Sequence, residues 1–268
     1  MDVIRNATVD PSRADSVGLA SALDRRRLVA LEELWDAGSA VLLGRLGIRP
    51  DWRCLELGAG TGSIARWLAR RCPRGQVTAT DVDLRFLSDP GHPDLKVMFH
   101  DAVEGPDFPE GSFDLLHSRA VLTHLPDRRE VIARAVRWLA PGGWLVLEEL
   151  AAFPAESSPS PLFRRVLAAY TQAMSYWLGT DLRWSRDLPG VLGEAGLTDL
   201  GLDVRVMVVG DGGAGEEFWR ICLQQAGPAM VAEGLLTAED LVAATAQLDE
   251  ADFLDAPLAL VSAWGRKP

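Results

Sequence analysis

The sequence predicts an α/β fold: one mostly parallel sheet of seven strands, with helical insertions in the second half of the chain. Three observations predict it. Short apolar runs alternate with amphipathic helices from Trp52 to Leu150, the rhythm of right-handed strand–helix–strand crossovers. The first of those runs opens into a turn with glycine at alternate positions, Gly58-Ala59-Gly60-Thr61-Gly62. Past Leu150 the rhythm breaks at Pro154, Pro159 and Pro161 with their neighbouring serines, and longer helical patterns follow.

The elements follow in order. About twenty polar residues precede a helical pattern from Leu23 to Leu46. There Leu28, Leu31, Leu34, Trp35 and Leu42 share a face, and Gly47 and Pro50 end it. Strands are read at Arg53–Leu57, Gln76–Asp81, Leu95–His100, Phe113–His117 and Trp144–Glu149. Helices are read at Ser63–Arg71 and Arg128–Leu139, with Pro141-Gly142-Gly143 as a turn. The second half reads as helices Leu162–Leu178 and Asp187–Ala195, a strand Leu202–Val209, helices Glu216–Glu233 and Ala238–Leu248, and a closing strand Pro257–Gly265. The organisation is thus an arm and cap helix over 1–50, a binding core over 51–150, and over 151–268 the rest of the sheet with insertions forming an acceptor-side lid.

Composition narrows the function classes. Half of the 268 residues are hydrophobic, enough for a large core. The 38 acidic against 27 basic residues give a net charge of -11, which repels phosphate backbones and argues against a nucleic-acid partner. No apolar run reaches bilayer length, so no membrane partner is expected. Three scattered cysteines and a polar start predict a cytoplasmic protein without disulfides, and no ligand cluster predicts a metal.

The chemistry gathers at the ends of successive strands. The first delivers Glu56 into the glycine turn, where the missing side chains let backbone approach a ligand and the next helix presents free N–H groups. The second ends in Asp81, placed to take both hydroxyls of a ribose, with Val82 beside it. Asp101-Ala102 follow the third strand, where a carboxylate accepts from an adenine amine. Ser118-Arg119 follow the fourth, near where an amino-acid tail would lie.

In that order, CLELGAGTGSIA, VTATD, HDA, FDLLHSRAVLTHLPD and LAPGGWLVLEE resemble the class I S-adenosylmethionine-dependent methyltransferases, in particular their bacterial, actinobacterial-type small-molecule branch. The resemblance implies a Rossmann-like methyltransferase sheet and S-adenosyl-L-methionine as cofactor. It carries methionine binding onto Gly58, Ala59 and Gly60, ribose binding onto Asp81, and adenine binding onto Asp101 and Ala102. The full set of cofactor candidates is Glu56, Gly58, Ala59, Gly60, Gly62, Asp81, Val82, Asp101, Ala102, Ser118 and Arg119. The family often has asparagine where Arg119 stands, so residue 119 faces either the cofactor tail or the acceptor.

Methyl transfer asks mainly for alignment and exclusion of water, with a base where the acceptor must lose a proton. His124, after the fourth strand, and Glu149, at the end of the fifth, are the catalytic candidates. Their structural alternatives are a hydrogen bond for His124 and a helix cap or a loop-holding carboxylate for Glu149. His117, His100 and His92 are read as packed, structural and solvated in turn. Met174, Tyr176, Trp177, Trp184, Phe218, Trp219 and Met230 read singly as helix packing and together as the lining of an apolar pocket. The expected function is methyl transfer to a small, largely apolar acceptor, a secondary metabolite. The alternatives are a cyclase or isomerase on the same fold, or a non-catalytic binding module. The apolar stripe of the first helix serves either as a lid or as a homodimer contact.

Overall fold

The computed structural model describes residues 22–87 and 94–268; the polar arm before residue 22 and His92 lie outside them. The first helix, α1, runs Ala22–Arg45 and is closed by Gly47 at φ +73°, a conformation glycine adopts without strain. Then follow β1 (Arg53–Leu57), α2 (Ser63–Arg71), β2 (Gln76–Asp81), β3 (Leu95–Phe99), β4 (Phe113–Arg119) and α3 (Arg128–Trp138). The second half holds β5 (Leu139–Ala151), α4 (Pro161–Leu178), α5 (Leu188–Glu194), β6 (Thr198–Val206), α6 (Ala214–Ala232), α7 (Ala238–Gln247) and β7 (Ala259–Arg266).

The seven strands form one sheet in the order β3-β2-β1-β4-β5-β7-β6. Pairings from β3 through β5 are parallel, and β7 runs antiparallel to β5. The largest shifts are at the starts of β5 and β6; β6 also ends at Val206, three residues before its expected end. The Pro141-Gly142-Gly143 turn is absorbed into β5, because Leu139 already pairs with Phe113 and the register shift between Phe113 and Leu115 takes up the irregularity. β6 begins four residues early, at Thr198, because Gly201 lets its backbone close on Trp264: a Cβ there would lie 2.1 Å from the indole.

Alternation along the strands sends neighbours to opposite faces. Leu55, Leu57, Leu116, Leu145 and Leu147 pack with Trp138 of α3 and Leu188 and Leu192 of α5. Cys54, Val77, Leu115 and Val146 pack with Ile64 and Leu68 of α2 and Leu42 and Leu43 of α1. Each such side chain contributes about 1.5–3 kcal/mol when fully buried. Cys54 and Cys72, scattered in sequence, meet in this second layer as buried free thiols with sulfurs 3.7 Å apart.

The chain divides into two units. One comprises Glu32–Ala151, Leu182–Arg205 and Ala259–Pro268 and holds the sheet up to Arg205; the other comprises Met1–Leu31, Ala152–Asp181 and Val206–Leu258. The second unit is helical. Its α4 starts at Ser160, whose hydroxyl accepts from the Phe163 amide, and ends at Gly179. Its core is aromatic: Phe163 stands edge-on to Trp219 and Phe253, and Tyr170 edge-on to Trp219. Of the aromatic and methionine set predicted to line a pocket, Met174, Phe218, Trp219 and Met230 are buried in this unit and Tyr176 is exposed. Trp184 belongs to the sheet unit, with the Arg128 guanidinium 4.9 Å from its ring centre. Among the described residues no helix is long and apolar enough to cross a membrane.

Candidate active site

The site is built where β1, β2, β3 and β4 end side by side. Gly58, Gly60 and Gly62 all have positive φ, at 70°, 57° and 86°, so the turn between β1 and α2 is one that side-chain-bearing residues adopt only with strain. At Gly58 space adds a second constraint, since a Cβ would lie 2.2 Å from Val121. The turn is tied to β2 twice. The Ala59 amide donates to the Thr80 carbonyl at 2.8 Å, and the Gly60 amide donates to Asp81 Oδ2 at 2.8 Å.

Asp81 also takes the Asp83 amide on Oδ1 at 2.9 Å. Burial pushes its carboxyl above the ordinary carboxylate range, against those amide bonds. Each oxygen keeps a second lone pair for a ligand hydroxyl. Val82 beside it is exposed. The β3 end is bound to the same place, the His100 amide donating to the Asp81 carbonyl at 3.1 Å. Asp101 accepts the amides of Val103 and Glu104 on Oδ1, which turns the chain back and leaves Oδ2 the lone pairs a ligand amine would use; Ala102 is buried.

The loop after β3 has a support that its sequence did not announce. Arg134 of α3 is buried and donates to the carbonyls of Ala102 (2.8 Å), Val103 (2.7 Å) and Gly105 (2.5 Å) and to Asp107 (2.9 Å). Burial, then Arg134, keeps the neighbouring His100 below the ordinary histidine range, so that ring is a neutral packing partner of Phe108 and Trp138.

Four of the candidate side chains are engaged within the protein. Glu56 is buried, and both of its oxygens face His117 Nδ1, at 3.0 and 2.9 Å, so its carboxylate is engaged within the sheet. Ser118 is buried too, its hydroxyl donating to the Leu57 carbonyl at 2.9 Å, a tie between β4 and β1. Arg119 donates to Asp36 at 2.7 Å and Ser39 at 3.2 Å, both on α1, and so is spent on the helix. Glu149 is the loop-holding carboxylate: it accepts the amides of Val121, Leu122 and Thr123 at 3.3, 2.9 and 3.1 Å. Burial raises its pKa to about 7 against those bonds. It is wholly buried. The turn it holds, Leu122–His124, presents His124 exposed at its end.

The face behind the turn is more polar than the sequence alone indicated. His117 Nε2 reaches Glu148 at 3.0 Å while Nδ1 meets Glu56, so one imidazole lies between two buried carboxylates. Burial opposes its charge, but Glu56 and then Glu148 hold its pKa up at about 9. Glu148 is pulled down to about 2: burial works the other way, and His117 and Arg205 outweigh it. The visible sequence signal was a polar residue interrupting each of two apolar runs, FDLLH and WLVLEE.

Comparison with known proteins agrees with this arrangement. Residues 55–147 match the family model described as a methyltransferase domain. That segment runs from β1 into β5. Over 98 residues the chain is 36% identical to methyltransferase str2 of Strobilurus tenacellus, covering 37% of this chain and 35% of that protein. Over 102 residues it is 37% identical to a trans-aconitate 2-methyltransferase of Deinococcus radiodurans, covering 37% and 38%. The matched segment thus spans about a third of the length of these curated relatives.

Solved structures share the fold at low identity. A Bacillus halodurans protein described as a putative methyltransferase superposes with a TM-score of 0.58 at 19% identity, covering 85% of this chain and 98% of that one. Haemonchus contortus phosphoethanolamine N-methyltransferase 2, solved with S-adenosyl-L-methionine, gives 0.57 at 19%, covering 87% and 53%. The donor set at these strand ends fits S-adenosylmethionine. Backbone at Gly58–Gly62 is bare enough for close approach, Asp81 stands ready for a diol, and the Asp101-Ala102 turn is ready for an adenine edge.

Proposed function

We propose that this chain transfers a methyl group from S-adenosylmethionine to a small, largely apolar acceptor of secondary metabolism, as a bacterial member of its family. The observation that carries the reading is the convergence of Gly60, Asp81 and Asp101 on neighbouring strand ends, joined by the Gly60–Asp81 bond and the His100–Asp81 backbone bond. When bound, the cofactor supplies an activated methyl on a sulfonium, so the protein is asked for grip, alignment and dryness more than for proton transfer. Asp81 would hold the ribose hydroxyls, Asp101 with the Ala102 amide the adenine, and the Gly58–Gly62 backbone the methionine portion. The acidic ends of β2 and β3 also favour a cationic ligand.

On the acceptor side, Glu149 fixes the Val121–Thr123 amides and so sets where His124 stands. His124 is the side chain suited to take a proton from a hydroxyl or amine acceptor. The test is calorimetry with S-adenosylmethionine and S-adenosylhomocysteine, followed by mass analysis of candidate acceptors. Micromolar-range binding of both and a product heavier by one CH2 support the reading. Folded protein that binds neither would refute it.

A further inference from the structure

The buried polar groups on the α1 face of the sheet form one continuous row. It starts at Glu56 on β1, passes through His117 on β4 to Glu148 on β5, and ends at Ser262 on β7 and Arg205 on β6, crossing adjacent strands in their spatial order. Ser262 donates to Glu148 Oε1 at 2.6 Å, and Arg205 donates to Ser262 at 3.0 Å and pairs with Glu148. Glu56, His117, Glu148 and Ser262 are all nearly or wholly inaccessible to solvent. Two carboxylates against an imidazolium and a guanidinium make the row neutral in sum.

Such a row is a costly way to build a sheet interior. Desolvating the ions offsets much of their attraction, and apolar side chains of similar size are often as stable or more so. What the row supplies that apolar packing would not is directional attachment at both ends. At one end Glu56 lies two residues before Gly58, and its carbonyl accepts from Thr80, next to Asp81. Along its length the row grips residues 32–45 of α1. Ser39 Oγ donates to Glu148, and Arg205 donates to the Trp35 carbonyl at 3.1 Å. Arg205 passes so close to the helix that a Cβ on Gly38 would lie 1.8 Å from its guanidinium. On the same helix Glu32 pairs with Thr61 and Asp36 accepts from Ser63 at 3.1 Å, so α1 is held to the glycine turn itself.

We propose that the Glu56–His117–Glu148 row, completed by Ser262 and Arg205, is a positioning device: it fixes α1 against the glycine-rich turn and so sets the geometry in which the cofactor is gripped. This rests on the cofactor reading above. None of the row residues touches the ligand; they act through the turn and the helix.

The experiment separates position from stability. Three proteins are compared with the unmodified chain: His117→Leu, the charge-free row Glu56→Leu/His117→Leu/Glu148→Leu/Arg205→Met, and Ser39→Ala, which removes the Ser39–Glu148 tie to the helix together with the Arg119–Ser39 bond and leaves the row's charges in place. S-adenosylhomocysteine affinity is measured by calorimetry, unfolding by denaturant, and amide exchange over residues 32–45 by mass spectrometry. The charge-free row should unfold at a denaturant concentration no lower than the unmodified chain, yet bind about tenfold more weakly. Exchange over 32–45 should be faster in that variant and in Ser39→Ala, with Ser39→Ala also losing affinity. Unchanged affinity and exchange in Ser39→Ala, or in a folded charge-free row, would overturn the proposal. Failure of the unmodified chain to bind would instead strike the cofactor reading, and the exchange comparison would still judge the row.

Discussion

Glu148 and Glu149 are consecutive residues on one strand, equally buried, and their carboxyl pKa values lie at about 2 and about 7. Strand alternation sends them to opposite faces of the sheet. On one face Glu148 meets charged partners, His117 and Arg205. On the other, Glu149 meets only neutral amides, which do not repay the loss of water. The two faces of this sheet therefore hold their loops by different physics: ion pairing against α1, and amide capture at the Leu122–His124 turn.

The largest effect expected from breaking this comparison is at Glu148. Glu148→Gln removes the carboxylate that His117 and Arg205 share, leaving His117 only Glu56, and should cost about 3–5 kcal/mol in denaturant unfolding, the usual cost of a broken buried pair. Glu149→Gln should cost less, about 1–3 kcal/mol, since no charged partner is orphaned and one acceptor oxygen is exchanged for a donor facing an amide. Equal losses at the two sites would mean that the faces are not different in kind.

The pH dependence sharpens the contrast. The folded pKa of His117 lies above its ordinary 6.5, so the stability it brings is complete below about 6.5 and is lost as pH rises through about 9. Glu148 has a lowered pKa, so its contribution holds above about 4.5 and is lost as pH falls toward 2. Glu149 has a raised pKa and binds its proton more tightly when folded, so stability falls as pH rises from about 4.5 through 7. Urea unfolding from pH 4 to 9.5 should show both declines. Glu149→Gln should flatten the lower one, and the charge-free row the upper one.

Much of the fold was legible because its signals are local. The strand–helix alternation from Arg53 to Trp138 follows apolar period and turn residues, and most predicted boundaries there fall within a residue or two of those observed. β6 was placed late because an edge strand, apolar on one side and half exposed, is defined by its pairing more than by its own pattern. In the site, the glycines, Asp81 and Asp101 were legible as strand-end residues. The turning inward of Glu56, Ser118 and Arg119 was not, because it depends on which strand or helix lies beside them, a long-range fact. His117 and Glu148 carried a sequence signal, a charge inside an apolar run, whose meaning appears only once β1, β4 and β5 are neighbours.

Asp81 is where the account can be tested most directly. It joins the glycine turn to the β2 end and would hold the ribose, so Asp81→Ala removes a charged acceptor from both. Titration of S-adenosylhomocysteine into the unmodified protein and the variant should show binding weakened at least about tenfold, corresponding to one charge-assisted hydrogen bond, with the folded state intact by circular dichroism. Equal affinity in the two proteins would contradict the placement of the cofactor at these strand ends.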